Sequence, residues 1–193
     1  MEYLLEKRLE QFKNTVESIE ITNTENIEFS LEDDLTEIHK LLVDVQKKER
    51  NLYIIGNGGS AAIASHAVID FMNVGKISAH TLHDPSTLTC MSNDYGYENA
   101  FSKILNITLK KEDLLIVISS SGKSKNMTNA VKAAKKNGTT VITLSGFDSK
   151  NTLRTLGDIN IWINSRDYGM VEIAHQFILH NLADRFIDKK VSL

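Results

Sequence analysis

The chain has 193 residues, of which 41% are hydrophobic, with a formal net charge of −3 and one cysteine. This length predicts a single domain with a sizeable core. The slightly acidic balance gives no reason to expect nucleic-acid binding. The lone Cys90 excludes an internal disulfide framework, and no stretch is apolar and long enough for a signal peptide or a membrane span. We therefore expect a cytoplasmic protein without nucleic-acid or membrane partners.

Residues 1–50 predict two helices ahead of any strand. Apolar residues recur at helical spacing over residues 1–20, and a polar break follows. The second helix is predicted over residues 30–50, with Ser30 as its N-cap. The first helix has an apolar stripe that either packs on its own domain or forms an oligomer interface, and the pattern leaves both open.

Residues 51–70 carry the strongest local signal. An apolar, β-prone run at 52–55 is followed by Gly56, Gly58 and Gly59 and then by an alanine-rich run. We predict a buried strand, a sharp turn and a helix over 61–73 that Ser60 caps. Such a turn presents free N–H groups and the positive end of a helix dipole, which favour a phosphate.

Two residues of that helix, His66 and Asp70, are four positions apart and therefore share one helix face. A histidine beside a carboxylate suits acid–base chemistry or metal binding. The sequence thus places a candidate reactive pair close to the candidate anion site.

The rest of the chain alternates strands with helices. Strands are predicted at 78–82, 114–119, 141–144 and 159–163, and helices at 86–91, 97–106, 124–137 and 170–190, with a polar turn at 92–96. This alternation predicts an α/β fold with a doubly wound, mostly parallel sheet flanked by helices and preceded by an N-terminal helical arm. Residues 1–193 would form one domain, with ligands bound at the carboxyl ends of the strands.

A second strand–loop–helix unit is rich in serine. Its loop contains Ser119, Ser120, Ser121 and Ser124. Hydroxyls and helix N-terminal N–H groups suit a monophosphate, and neither loop has the spacing of a dinucleotide or nucleotide phosphate loop. A sugar monophosphate is the simplest ligand for the two loops, and an ordinary serine-rich helix cap is the alternative for the second.

The order of these motifs resembles that of the SIS (sugar isomerase) domain, and more closely that of the phosphoheptose isomerases, over about residues 30–188. The matching segments are GNGGS at 56–60, SNDYG at 92–96, ISSSGKS at 118–124, VITLSG at 141–146 and residues 172–180. The resemblance implies an aldose–ketose isomerase that interconverts sedoheptulose 7-phosphate and D-glycero-D-manno-heptose 7-phosphate through an enediol, for surface polysaccharide synthesis. It also implies a homotetramer with its sites between subunits, to which residues 1–50 would contribute.

The resemblance assigns roles to matched positions. The residues implied to bind the sugar are Asn57, Gly58, Gly59, Ser60, Asn93 and Asp94. The residues implied to bind the phosphate are Ser119, Ser120, Ser121 and Ser124. The residues implied to bind zinc or another divalent ion are His66, Asp70, Glu172 and His180, of which the last three are also implied to be catalytic.

Two of these positions depart from the family pattern. Asp70 stands where a glutamate is usual, and Glu172 where a glutamine is usual. Two histidines and two carboxylates still suit a divalent ion. We prefer Asp70 as the base, with Glu172 as a metal ligand or replacement base, and the departures leave room for a different phosphosugar.

Other functional classes remain open at this stage. They are an isomerase or binding protein for another phosphosugar, and a non-catalytic tetrameric partner of a replication initiator, such as some close relatives of the family are. The second would not need His66, Asp70 or His180. The remaining candidates are expected to be structural or surface residues: His39, His80, His83 and His175, a core thiol at Cys90, Trp162 in packing, and Tyr95 and Tyr97 in packing or as pocket walls.

Overall fold

A computed structural model of the protein describes residues 4–23 and 30–187, and predictions for positions outside these ranges are not addressed by it. The helices are α1 Leu5–Glu17, α2 Leu31–Lys47, α3 Gly59–Asn73, α4 Pro85–Tyr95, α5 Ala100–Thr108, α6 Lys125–Lys136 and α7 Tyr168–Asp184. The strands are β1 Glu20–Asn23, β2 Asn51–Gly56, β3 Ser78–His80, β4 Leu114–Ser119, β5 Thr140–Gly146 and β6 Ile159–Ile163. None of the helices in the described ranges is long and apolar enough to cross a membrane.

The strands form one sheet in the order β1-β6-β5-β4-β2-β3. All neighbours are parallel except β1, which pairs antiparallel with β6. From β2 the chain moves outward to β3 and then returns to β4 on the other side. This confirms the predicted doubly wound sheet, and it places the topological switch point, where such sheets bind ligands, between β2 and β4.

The core has two layers, one on each face of the sheet. Side chains of β4 alternate between them, so that Ile116 packs with α2, α3 and α7 while Val117 packs with α5 and α6. Every residue of β4 is buried, as its continuous apolar run predicts. Burying one side chain such as Ile116 stabilises the fold by about 1.5–3 kcal/mol, so both layers hold the central strands firmly in place.

Strand β1 was not predicted, because its four residues alternate between exposed and half-buried positions and have the polar character of a loop. It pairs with β6 at the sheet edge, where few apolar contacts are needed. The apolar stripe of the preceding helix α1 is only partly covered: Phe12 and Val16 pack against the core, while Leu5 and Leu9 are exposed to solvent. Packing on its own domain therefore accounts for part of that stripe, and an oligomer interface stays a prediction for the exposed part.

The start of α3 differs from the prediction. Gly58 is its N-cap, with a positive φ of 54°, and Ser60 lies inside the first turn, so the predicted Ser60 cap is wrong. The glycine turn reverses the chain early enough for the helix to begin at Gly59. The predicted Ser30 cap of α2 is confirmed, because its hydroxyl accepts a hydrogen bond from the Asp33 N–H at 3.2 Å.

The predicted polar turn at 92–96 is also wrong, because α4 continues to Tyr95. The Ser92 hydroxyl donates to the Leu88 carbonyl at 2.6 Å within that helix, and Gly96, with a φ of 79°, follows its last residue. Helix α4 contains no buried residue, and Cys90 is exposed, so the expectation of a core thiol is wrong. Because α4 buries none of its residues, its sequence has no clear apolar stripe, and its polar end therefore resembled a turn.

Candidate active site

The glycine-rich loop at residues 56–60 after β2 (the first loop) and the serine-rich loop at residues 119–124 after β4 (the second loop) meet at the switch point. Strands β2 and β4 pair in a register that sets Gly56 beside Ile118, so their following loops lie side by side. They enclose a cavity of about 270 Å³. Its lining residues are Asn57, Gly58, Gly59, Ser60, Ile118, Ser119, Ser120, Ser121, Ser124, Tyr168 and Glu172. The structure therefore brings both predicted loops into one site.

The first loop opens the N-terminus of α3 towards this cavity. Its N-cap residue is Gly58, which has no side chain to cap the first turn. The first N–H groups of a helix lack partners within the helix, and the helix dipole adds positive potential there. The N-terminus of α3 therefore stabilises a negative charge or an oxygen atom placed beside it.

The second loop offers hydroxyls that lack protein partners. The Ser120 hydroxyl oxygen is buried and, among the described residues, has no hydrogen-bond partner. Ser124 is the N-cap of α6, yet its side chain makes no capping hydrogen bond. Serines that served only to cap the helix would use these groups. The geometry therefore favours ligand binding over the alternative of an ordinary serine-rich cap.

Asn151 holds the second loop from behind. Its side-chain amide, only 1% exposed, donates to the carbonyls of Asp148 at 2.8 Å and Gly146 at 3.2 Å. The Leu153 N–H donates to the Gly122 carbonyl at 3.0 Å. Gly122 has a φ of 62°, and the Asn151 side chain fills the space that a Cβ there would need. The loop is thus held in one shape before any ligand binds.

Glu172 enters the cavity from α7. Its carboxylate lies over the first residue of α3, because a Cβ on Gly59 would lie 2.6 Å from Glu172 Oε1. The contact requires glycine at position 59. It also places a negative charge next to the N-terminus of α3, where the helix dipole stabilises it.

His66, Asp70 and His180 form a separate cluster where α3 packs on α7. Asp70 Oδ2 lies 3.0 Å from His180 Nδ1 and 3.6 Å from His66 Nε2. One ligand atom from each residue lies within 4.8 Å of the others, and the two rings are edge to face with centroids 4.8 Å apart. The structure therefore assembles three of the four predicted metal ligands, whereas the Glu172 carboxylate lies against Gly59 instead.

The cluster fits a divalent metal ion. Asp70 Oδ2 is buried, and its approach to His180 lacks the direction of a hydrogen bond, so within the described part of the chain it has no donor. A divalent cation here would satisfy the buried carboxylate oxygen and would be ligated by the two imidazole nitrogens that face it. Ligand atoms of a tetrahedral zinc site lie about 3.4 Å apart, and the two separations from Asp70 Oδ2 are 3.0 and 3.6 Å, within a cluster whose ligand atoms all lie within 4.8 Å of one another.

Asn93 and Asp94 are not brought to this cavity. They lie exposed on α4, and the Asn93 amide donates to the Asp94 carboxylate at 3.0 Å. Their predicted contact with the sugar is therefore not made by the cavity of the same chain. It stays a prediction.

Two neighbours of the site were not predicted to belong to it. Tyr168 lines the cavity, with its ring packed edge to face on Phe147. His83 Nε2 accepts a hydrogen bond from the Gly56 N–H at 3.4 Å, and burial lowers the pKa of His83, which favours the neutral, accepting imidazole. His83 comes shortly after β3, and its place near the carboxyl ends of the parallel strands was the signal that could have found it.

The remaining histidines behave as structural or surface residues. His175 is fully buried, and that burial lowers its pKa from 6.5 to about 4. Its Nε2 lies 3.2 Å from the Ser145 carbonyl, so it packs α7 against β5. His39 is also buried, and its ring packs on Phe186, while His80 is exposed.

Comparison with known proteins identifies one family of relatives by sequence. The family model of the SIS domain matches residues 11–146. The chain is 33% identical over 176 residues to the phosphoheptose isomerase of Campylobacter concisus, covering 88% of this chain and 92% of the relative. It is 34% identical over 161 residues to that of Helicobacter pylori, covering 80% and 83%.

Solved structures show the same fold. The phosphoheptose isomerase of Neisseria gonorrhoeae matches with a TM-score of 0.79 at 27% identity, covering 95% of this chain and 99% of that one. A phosphoheptose isomerase from Francisella tularensis matches with a TM-score of 0.81 at 26% identity, covering 95% and 94%. Together with the assembled loops, these matches show that the chain belongs to the SIS-domain family of phosphoheptose isomerases.

Proposed function

We propose that the protein interconverts sedoheptulose 7-phosphate and D-glycero-D-manno-heptose 7-phosphate through an enediol, supplying heptose for lipopolysaccharide or capsule synthesis. The observation that carries this proposal is one cavity that joins serine hydroxyls, unpaired among the described residues, to a sugar-sized space between α3 and α7, the two helices that also carry the cluster of His66, Asp70 and His180. The curated relatives are named phosphoheptose isomerases.

The second loop would hold the phosphate. Hydrogen bonds to a charged phosphate are stronger than those between neutral groups, so unpaired serine hydroxyls gain most from an anionic partner. Ser120 and Ser124 supply such hydroxyls, and the N-terminus of α6 adds its dipole. The first loop, with Asn57 and Ser60, would then face the sugar.

The isomerisation itself needs a base and an acid. In the aldose-to-ketose direction, the base removes the proton from C2 while an acid protonates the carbonyl oxygen on C1, which gives the enediol. The O2 proton then leaves and C1 gains a proton, which gives the ketose. We assign the carbon proton to Asp70 and the oxygen protons to His180, 3.0 Å away. Glu172, whose carboxylate lines the cavity, is the alternative base.

A divalent ion, zinc in the first instance, would be held by His66, Asp70 and His180. Such an ion supplies a Lewis acid that stabilises charge on a substrate oxygen. The cluster offers two neutral nitrogen donors and one carboxylate, a donor set that zinc accepts readily.

The active assembly would be a homotetramer with its sites between subunits, with the helices of residues 1–50 at the interface. Several apolar side chains are exposed, among them Leu9 at 59%, Ile69 at 57% and Phe177 at 48%. They lie on α1, α3 and α7, and the last two helices also carry the cluster of His66, Asp70 and His180. Asn93 and Asp94, which do not line the cavity of their own chain, would then be free to serve a neighbouring site. Light scattering on the purified protein tests this, and a monomeric mass would contradict it.

An isomerase for another phosphosugar is the second candidate, because Asp70 and Glu172 depart from the residues usual in the family. The assembled cluster argues against a protein without catalysis. Sedoheptulose 7-phosphate and a panel of pentose and hexose phosphates should be incubated with the protein, with and without chelator. We expect aldose product from the seven-carbon ketose above all, and turnover of only a shorter sugar would favour the second candidate.

A further inference from the structure

Three side chains from separate elements meet at the edge of the cavity. The Tyr97 hydroxyl donates to Asn57 Oδ1 at 2.8 Å, and Asn126 Nδ2 donates to the same oxygen at 2.9 Å. Asn57 Nδ2 in turn donates to Asn126 Oδ1 at 3.0 Å. Asn57 belongs to the first loop, Asn126 to the first turn of α6, and Tyr97 to the segment between α4 and α5. The network therefore ties the two loops of the cavity to each other and to a third segment.

The direction of these hydrogen bonds is fixed by the backbone. Asn126 Oδ1 also accepts from the Met127 N–H at 3.0 Å, and a backbone N–H can only donate. The oxygen of Asn126 must therefore face that N–H, which leaves its Nδ2 to face Asn57 Oδ1. Because Asn57 Oδ1 is then an acceptor, the Tyr97 hydroxyl must be a donor. Helix α6 thus sets the orientation of the Asn57 amide.

Among the described residues, the amide of Asn57 is left with a single unused group. A side-chain amide has two acceptor sites and two N–H donors. Tyr97 and Asn126 fill both acceptor sites of Asn57 Oδ1, and Asn126 takes one of the two N–H groups. The remaining N–H belongs to a half-buried residue that lines the cavity. The site therefore presents a donor at this point, which matches a hydroxyl or carbonyl oxygen of a sugar.

We propose that Tyr97 is a positioning residue for substrate recognition: with Asn126 it holds the Asn57 amide so that Asn57 offers one N–H, and no acceptor, to a sugar oxygen. This inference rests on the proposed sugar-phosphate function. Without the Tyr97 hydroxyl, an acceptor site on Asn57 Oδ1 is released and one of the three hydrogen bonds that orient the amide is lost. The Tyr97 ring, 6.5 Å from that of Phe101, does not depend on the hydroxyl for its packing.

The test compares Tyr97→Phe with Tyr95→Phe. The two tyrosines have nearly equal exposure, 48% and 47%, but Tyr95 contacts Lys103 through its ring rather than through its hydroxyl. We expect Tyr97→Phe to raise KM for the sugar phosphate roughly threefold to tenfold, with kcat changed less than about twofold, because the contact with Asn57 exists before the chemical step. Tyr95→Phe should change neither. Equal effects of the two substitutions would overturn the proposal.

A double-mutant cycle shows whether Tyr97 acts through Asn57. In an Asn57→Ala background, Tyr97→Phe should have no further effect on KM, since the group that it positions is gone. Losses that multiply would mean that Tyr97 acts by another route and would overturn the assignment.

Amide NMR tests the network independently of turnover. The side-chain NH₂ signals of Asn57, identified by their loss in Asn57→Ala, should shift and exchange faster with water in Tyr97→Phe but not in Tyr95→Phe. Unchanged Asn57 signals in Tyr97→Phe would overturn the inference even if the protein is an active isomerase. An inactive wild-type protein with the expected NMR shifts would instead count against the proposed function alone.

Discussion

Replacing Ser120 with alanine should move stability and ligand affinity in opposite directions. Its hydroxyl oxygen is buried in the free protein and, within the described ranges, has no hydrogen-bond partner. Leaving such a group unsatisfied costs about 1–3 kcal/mol, so Ser120→Ala should stabilise the unliganded protein by up to that amount. For a chain of this size, each kcal/mol corresponds to a rise in Tm of about 2–4 °C.

The same substitution should weaken binding of a phosphosugar. A hydrogen bond to a charged group contributes about 1.5–3 kcal/mol, so losing one raises Kd about 10- to 150-fold. Calorimetry with sedoheptulose 7-phosphate and with inorganic phosphate measures Kd, and differential scanning measures Tm on the same samples. The reasoning is refuted if Ser120→Ala lowers Tm and leaves Kd unchanged.

Ser145 offers a matched control for the stability half of this prediction. It is also fully buried, but its hydroxyl accepts a hydrogen bond from Asn151 Nδ2 at 3.2 Å. Ser145→Ala removes a satisfied bond and leaves a buried N–H with one partner fewer, so Tm should fall. A rise in Tm for both variants would show that the unpaired state of Ser120 is not the cause.

Further substitutions test other parts of the site. In Gly59→Ala the new Cβ pushes away the Glu172 carboxylate, which lies in that space. Because the substitution acts through Glu172, Gly59→Ala should not change turnover further in a Glu172→Ala background. Losses in turnover that multiply would contradict this. Burial lowers the pKa of His175 to about 4 from 6.5, so the unfolded chain binds the proton more tightly. Folding stability should then fall by at most about 3 kcal/mol as the pH drops from 6.5 to 4, and His175→Phe should flatten that dependence in urea titrations. His66→Ala should abolish binding of one zinc ion per chain, measured by calorimetry, whereas the matched surface variant His80→Ala should bind zinc as the wild type does; equal zinc binding by both would refute the assigned ligands.

The core strands and the two loops could be predicted from the sequence because their signals are local. The apolar, β-branched run of β4 and the glycines after β2 each indicate their element within a few residues of sequence. Two such strands followed by helices imply a parallel sheet, and a parallel sheet places their loops at one edge. The shared cavity follows from that geometry.

Long-range contacts could not be predicted in the same way. Strand β1 exists because β6 offers an edge, and nothing within Glu20–Asn23 indicates it. Glu172 and His180 are eight positions apart on α7, about 12 Å along the helix, so how α7 crosses α3 decides which part of α3 each one meets, Gly59 for Glu172 and Asp70 for His180. The Tyr97 contact with Asn57 joins residues 40 positions apart and likewise has no local signal.

Formation of the aldose from sedoheptulose 7-phosphate, followed by NMR with purified wild-type protein and with Asp70→Asn, tests the central claim most directly. We predict that the wild-type protein produces D-glycero-D-manno-heptose 7-phosphate and that Asp70→Asn, which removes the proposed base, slows this about 100-fold or more. Absence of the aldose with the wild-type protein would contradict the proposed reaction, and an unchanged rate in Asp70→Asn would contradict the proposed base.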